Sequence, residues 1–406
     1  MSFAVNEIRK SFPALHQRDA VFFDNAAGAQ APKQVLDAVA EHLLLRNVQR
    51  GGCYQQSREV DAAIARARKS VAAFINAGDP EEVCFGMNAT SFIRLVSQGI
   101  GQIMRRGGRR EIIVTDLDHD SNIATWLALQ PDGARIVWWR MRKDGRLHAE
   151  DLDALLSKKT RLVACTLASN CMGSILDAAE VSRRAHAVGA EVFLDAVHYS
   201  PHGPIDVEAL GCDYMVCSGY KAFAPHMGFL WGRKPLLDVV PTFREKFIPD
   251  VAPYKFEVGT FVYENVAGMD AAVSYLESLG TGKSRRARLV HAMNSIRDYE
   301  ATLSLELIKT LSAIDDVTVY GITDPALVGH RTPTVSFNLK GIPARQVAER
   351  MAAKNIAVRD GNMYAPRLMK RLKQSAAVRV SLVHYNNTEE IQRFGASLRA
   401  LVARPR

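Results

Sequence analysis

Cysteine is scarce in this 406-residue chain: six residues, at positions 53, 84, 165, 171, 212 and 217, with no CxxC pair and no repeating ligand spacing. That argues against a disulfide framework or a thiolate metal centre, and no metal is expected. Several of the six fall inside apolar runs, where a free thiol behaves as a small hydrophobe. Long hydrophobic runs are missing as well; none approaches the ~20 apolar residues that a membrane-spanning helix needs. The opening residues Met1-Ser2-Phe3-Ala4-Val5-Asn6-Glu7 lack a basic region followed by an apolar stretch. No secretion signal is therefore expected, and the cytosol is the expected compartment. A lopsided charge is also lacking. Lys and Arg number 52 against 43 Asp and Glu, a formal balance of +9, and only Arg105-Arg106-Gly107-Gly108-Arg109-Arg110 is dense. That cluster reads as a solvated helix end and a turn before a strand, so neither nucleic acid nor a membrane is expected as a partner.

What is present is an ordinary globular composition, 48% hydrophobic and 23% charged, with no internal repeat or low-complexity segment. The length allows two or three domains, one of them large. From about 80 to 235, short apolar runs alternate with helical stretches. Glu82 to Phe85 leads into a helix from Ser91, and Ile112 to Thr115 into one near Asn122. Arg135 to Trp139, Leu162 to Thr166, Val192 to Asp195 and Tyr214 to Cys217 are further strand candidates. Gly228 to Trp231, reached by a short turn, is expected to run antiparallel. This alternation predicts an α/β fold with a mostly parallel, mixed sheet and helices on both faces. From about 285 the texture changes to a long helix (Arg286 to about Ala313) and then strands and helices of a smaller α+β domain. Its closing helix is expected to start at Thr388, with the threonine as N-cap. The expected division is a large domain over 21–284 and a small one over 285–406, with 1–20 packed against it.

Ligands in such sheets sit at the carboxyl ends of the strands. Two runs end there in a distinctive way. Val192-Phe193-Leu194 ends in Asp195, and Tyr214-Met215-Val216-Cys217 ends in Ser218-Gly219-Tyr220-Lys221. Pyridoxal 5'-phosphate chemistry needs that pair: an amine to hold the aldehyde as an imine, and a carboxylate to keep the pyridine nitrogen protonated. Lys221 precedes Ala-Phe-Ala-Pro, an apolar setting that lowers an ammonium's pKa and frees the amine. Asn88-Ala89-Thr90 lies between a strand and a helix, so the backbone N–H groups at Ala89 and the Thr90 hydroxyl can receive a phosphate; plain N-capping is the simpler alternative. The Ser218 hydroxyl is a second phosphate donor.

These residues resemble the class V aminotransferases, which have the pyridoxal-phosphate transferase fold type I, and above all the cysteine desulfurase and selenocysteine lyase branch. Phe22-Phe23-Asp24-Asn25-Ala26-Ala27-Gly28 resembles the family's opening substrate loop, and Asp118-His119-Asp120-Ser121-Asn122 its E-H-x-x-N segment. Ser169-Asn170-Cys171-Met172-Gly173 resembles S-N-x-x-G, Asp195 to His198 D-x-x-Q/H, and Ser218 to Lys221 S-G-H-K. The resemblance implies a catalytic set of Lys221, His119 and Asp195. His119 is expected to lie flat on the pyridine ring, and His198 to hydrogen-bond its phenolic oxygen. Tyr220 stands where relatives have histidine. Thr260 is expected to reach the phosphate of a second subunit, which implies a homodimer. Asn25, Ala27, Asn170, Arg359, Tyr364 and Arg379 are the expected substrate contacts, with Asn170 alternatively on the cofactor's ring oxygen and Tyr220 also expected at the cofactor; the Arg379 guanidinium would clamp a carboxylate.

One departure stands out. Relatives that remove sulfur from cysteine carry a loop cysteine just after R-x-G, whereas Arg359-Asp360-Gly361-Asn362-Met363-Tyr364 places Tyr364 there. A phenol cannot carry a persulfide. The expected chemistry is what Lys221 and the cofactor can run alone on a small amino acid: β-elimination with C–S or selenocysteine cleavage, transamination, or epimerization as in isopenicillin N epimerase-like relatives. A non-catalytic binding protein on the same fold is the competing class.

Overall fold

The computed structural model describes residues 3–17 and 19–402. Among the described residues, thirteen strands form three sheets. The main one uses seven of them: β2 (Val83–Gly86), β3 (Glu111–Thr115), β4 (Arg135–Trp139), β5 (Thr160–Thr166), β6 (Glu191–Asp195), β7 (Tyr214–Ser218) and β8 (Gly228–Gly232). Their order is β2-β8-β7-β6-β5-β3-β4, parallel except that β8 runs antiparallel to both its neighbours. Side chains alternate faces along each strand. In β6, Val192 and Leu194 enter one apolar cluster while Phe193 enters the other. Both faces of the sheet are thus covered, which is why these strands read as unbroken apolar runs. On one side lie α1 (Lys33–Arg46), α2 (Gln55–Ile75), α5 (Ala178–Ala187) and α6 (Tyr263–Ser278); on the other lie α3 (Ala89–Arg105) and α4 (Ser121–Leu127).

A 28-residue helix, α7 (Arg285–Ser312), leads to the second half. There β9 (Val317–Tyr320), β10 (Thr334–Leu339), β12 (Arg359–Gly361) and β13 (Ala377–Ser381) form an antiparallel sheet in the order β12-β13-β10-β9. With α8 (Ala344–Ala352) and α9 (Thr388–Val402) it encloses a third apolar cluster. The opening strand β1 (Val21–Phe22) pairs in parallel with β11 (Ile356–Ala357), and Arg9 forms an ion pair with Glu390 at 3.0 Å. The first residues of the chain are thereby tied to its last third.

One helix cap and one helix start differ from expectation, while the closing helix begins at Thr388 as expected. Asn387, not Thr388, caps α9: its Oδ1 accepts the Glu390 N–H at 2.9 Å, and Glu390 Oε2 accepts the Asn387 N–H at 3.2 Å. This reciprocal capping box outcompetes a single threonine hydroxyl. Helix α3 begins at Ala89, two residues before Ser91, because Asn88 Oδ1 accepts the Ser91 N–H at 2.9 Å.

Candidate active site

The carboxyl ends of β5, β6 and β7 and the start of α3 converge on one cavity. It is lined by Ala89, Thr90, His119, Ser121, Thr166, Asn170, Asp195, Val197, His198, Ser218, Tyr220 and Lys221. Larger hollows exist: one between α3, α4 and residues 241–243 measures about 1380 Å³ against about 430 Å³ here. It carries none of the expected chemistry. What distinguishes the smaller cavity is its charge. Lys221, 6% exposed, follows β7 in a tight turn, and its Nζ stands 5.8 Å from the Tyr220 ring centroid with no protein hydrogen bond among the described residues. Burial lowers its pKa to about 8, with Arg379 adding to the shift and Asp195 opposing it. Asp195, 4% exposed, ends β6; its Oδ1 accepts the Val197 N–H at 2.9 Å. Burial raises this carboxyl above its ordinary value, so it favours a cationic N–H against it.

The anion end is built by close approach. A Cβ on Gly228, the first residue of β8, would lie 2.6 Å from the Asn88 carbonyl carbon and 2.8 Å from the Ala89 nitrogen. Only glycine lets the sheet meet the helix start this closely. The first-turn N–H groups of α3, which have no intrahelical acceptors, thus reach the cavity beside the Thr90 and Ser218 hydroxyls. His119 Nδ1 accepts the Ser121 N–H at 3.1 Å, and burial lowers the ring's pKa to about 4, with Lys221 adding to it. A neutral ring follows. Beneath it Asp118, fully buried, accepts from Asn122 Nδ2 at 2.7 Å and from the Thr115 hydroxyl; burial raises its pKa to about 7.

Several expected residues stand differently. Asn25 is 3% exposed and its Nδ2 donates to Phe22 O, Ser381 O and Asn386 Oδ1, while its Oδ1 accepts from Tyr385. Every polar atom of that side chain is engaged within the protein, so a substrate contact there would have to share or displace one of these partners. Ala27 does not line the cavity. Asn170 points Nδ2 away, to Met363 O at 2.7 Å, leaving its buried Oδ1 without a partner. Thr260 lies outside the cavity, exposed, accepting from Gln49 Nε2 at 2.6 Å. Arg379 is 2% exposed and donates to Asn170 O at 2.9 Å and to Asp24 Oδ1 at 2.8 Å. Arg359 Nε donates to Asp24 Oδ2, also at 2.8 Å. One carboxylate therefore binds both expected anchor arginines. Sequence reasoning passed over Asp24, although it sits inside the quoted opening segment.

Tyr364 is 61% exposed, with its ring centroid 5.6 Å from that of His119. Met363 and Tyr364 both adopt left-handed backbone, at φ 54° and 55°, an uncommon choice for side-chain-bearing residues. The strain is held by the Met363 carbonyl on Asn170, by the Asp120 N–H on the Tyr364 carbonyl at 2.8 Å, and by an Arg367–Asp120 ion pair. The remaining five cysteines besides exposed Cys53 are buried, and none lines the cavity.

This donor set fits pyridoxal phosphate: an unpartnered amine, a buried acid, an orphaned amide oxygen and a helix start for an anion, all around one hollow. The class-V aminotransferase family model matches residues 21–394. A probable cysteine desulfurase of Synechocystis sp. is 34% identical over 97% of this chain and 95% of its own length. The aminotransferase-like protein FGM3 of Gibberella zeae is also 34% identical, over 98% of each chain. The cysteine desulfurase of Thermococcus onnurineus NA1 superposes with a TM-score of 0.89 at 27% identity, covering 99% of this chain and 98% of that one. Family, fold and donor set agree, and this chain belongs to the class-V aminotransferases, the pyridoxal-phosphate-dependent enzymes of fold type I, on their cysteine desulfurase-like side.

Proposed function

We propose that the enzyme is a C–S or β-lyase acting on a small, sulfur-containing amino acid, with Lys221 as both the cofactor-bearing amine and the proton-transfer base. The observation that carries this reading is the combination of a buried amine at Lys221, with no protein hydrogen bond among the described residues, and a tyrosine instead of a cysteine at position 364, its ring 5.6 Å from that of His119. Bound pyridoxal phosphate supplies an aldehyde for the amine and a heterocycle that accepts electrons released at the substrate's α-carbon. The chain's own residues do the rest. Ala89, Thr90 and Ser218 hold the phosphate. Asp195 keeps the heterocyclic nitrogen protonated, His119 stacks on the ring, and His198 donates to its phenolic oxygen. Arg379 takes the substrate carboxylate, with Arg359 and Asn170 beside it. Lys221, neutral above about pH 8, accepts the α-proton. The β-substituent then departs with its bonding electrons, and with no cysteine at the mouth it leaves into solvent instead of onto the enzyme.

The same reading makes the enzyme a homodimer, with Thr260 directed at the partner's phosphate. Leu44 is 81% exposed, Phe243 87% and Phe247 81%, apolar side chains that a second copy could cover. We also divide the chain functionally into a cofactor-binding unit, 21–284, and a smaller unit, 1–20 with 285–406.

The test is a substrate panel on cofactor-loaded protein, including cysteine, cystine and selenocysteine. Pyruvate with sulfide or selenide supports the lyase. A keto acid with the amine form of the cofactor reassigns it as an aminotransferase, and α-deuterium exchange alone as an epimerase. No spectral response to any amino acid overturns the enzymatic reading.

A further inference from the structure

The reaction as proposed leaves a buried carboxylate unexplained. Glu300, on α7, has a side chain 2% exposed, and its only side-chain partner is His202 Nδ1 at 2.7 Å. Its other oxygen, Oε1, makes no well-formed hydrogen bond among the described residues, with the His384 backbone beside the carboxylate. Leaving a buried acceptor unsatisfied costs about 1–3 kcal/mol, so the site calls for a reason. His202 lies four residues beyond His198 in the turns that follow β6, and the two rings meet edge to face, 5.2 Å between centroids at 64°. His198, 3% exposed, is held on one side by Thr332 Oγ1, 3.2 Å from its Nε2. Its Nδ1 has no protein partner among the described residues, and the ring lines the cofactor cavity.

We propose that Glu300 and His202 are positioning residues that hold the His198 ring as a hydrogen-bond donor to the cofactor's phenolic oxygen. The inference rests on the assignment of His198 to that oxygen. A carboxylate accepting from Nδ1 of His202 fixes that ring's tautomer and tilt. The fixed ring then packs against His198 and denies it rotation; with the Thr332 hydroxyl turned to Nε2 at 3.2 Å in place of the Gly173 carbonyl at 3.5 Å, the hydrogen stays on Nδ1. His198 stays neutral, because burial, then His202, Lys221 and Arg379 all disfavour its cation. It therefore acts through one N–H whose direction matters. The groups facing Glu300 are His202 and the His384 backbone, with Tyr199 and Tyr299 nearby. Because Glu300 belongs to the long helix that enters the second half of the chain, the device ties that helix to the cofactor ring.

The test reads the pH titration of the visible band of the cofactor-loaded protein. Losing a donor leaves the phenolic oxygen more basic, so the proton that controls the band is held more tightly. In Glu300→Ala and His202→Ala the apparent pKa is expected to rise by about half a unit or more. Glu300→Gln, whose amide oxygen still accepts from His202, is expected to titrate within about 0.2 units of the wild type. Should alanine prevent folding, Glu300→Asp draws the carboxylate back from His202 with less lost packing and carries the same expected rise. Unchanged titration in these variants, with only the melting temperature lowered, overturns the inference and leaves the proposed function standing. A wild-type protein that takes up no cofactor overturns both.

Discussion

The floor and the rim of the cavity treat charge in opposite ways. On the floor, at the ends of β6 and β7, Lys221 and Asp195 are buried without pairing to each other, and each has its pKa displaced toward the neutral form by burial. At the rim, built from the opening loop and the antiparallel sheet, Arg379 and Arg359 are each ion-paired to one oxygen of Asp24, and the buried Arg379 Nε is left without a partner among the described residues. An unpaired buried charge costs free energy that a ligand can recover, so the floor is ready for a cofactor as it stands. The rim is not in that state: on the proposed role of Arg379, a substrate carboxylate would have to share or displace Asp24 before that arginine could clamp it. If the proposed roles hold, cofactor binding and substrate binding are separable, one prepaid by the fold and the other requiring an exchange of partners.

The largest break in that comparison comes from the floor. Lys221→Ala should cost at least about a thousandfold in turnover, and the visible colour should be lost on desalting; colour that survives in full would place the covalent anchor elsewhere. The next effect is set by pH. Only the neutral amine captures the aldehyde, and Lys221 titrates at about 8 instead of 10.5. The rate of cofactor uptake by apo-protein should climb roughly fifty-fold between about pH 6 and about pH 8 and then level off. A rate still climbing steeply at about pH 10 marks an ordinary, solvated lysine.

The rim effects are smaller and different in kind. Arg379→Lys keeps the charge but loses the fork, so KM should rise about tenfold with kcat little changed; a fall in kcat at constant KM would move Arg379 from binding to chemistry. Asp24→Asn removes the shared carboxylate. Because Asp24 is partly exposed, with its side chain at 21%, the loss of stability should be modest, about 1 kcal/mol by denaturant midpoint. Its visible band should be untouched. A band that shifts in this variant would show that floor and rim are not independent.

The sheet and the floor were legible because their signals are local. Apolar runs, strand-end residues and the Ser218-Gly219-Tyr220-Lys221 turn each occupy one short stretch, and a doubly covered parallel sheet leaves few other ways to arrange them. The rim was less legible because its partners are far apart along the chain. Asp24 meets residues 335 and 355 positions away, and no window of sequence shows such a pairing. The surroundings of Asn25 were hidden for the same reason: three of its partners, Ser381, Tyr385 and Asn386, come from the far end of the chain. The capping of α9 was a closer matter, since Asn387 and Thr388 are both good caps and only the reach of Glu390 selects the first. Glu300 carried no signal at all, being one acid among many on a long helix until the fold brought it to His202.

The central claim is that one amine, that of Lys221, bears the cofactor while Asp195 holds the far side of its ring. Borohydride reduction of the loaded protein followed by peptide mass mapping tests it most directly. The account predicts a pyridoxyl mass on the peptide containing Lys221 and on no other. The same label on a different lysine, or none on any, would contradict it.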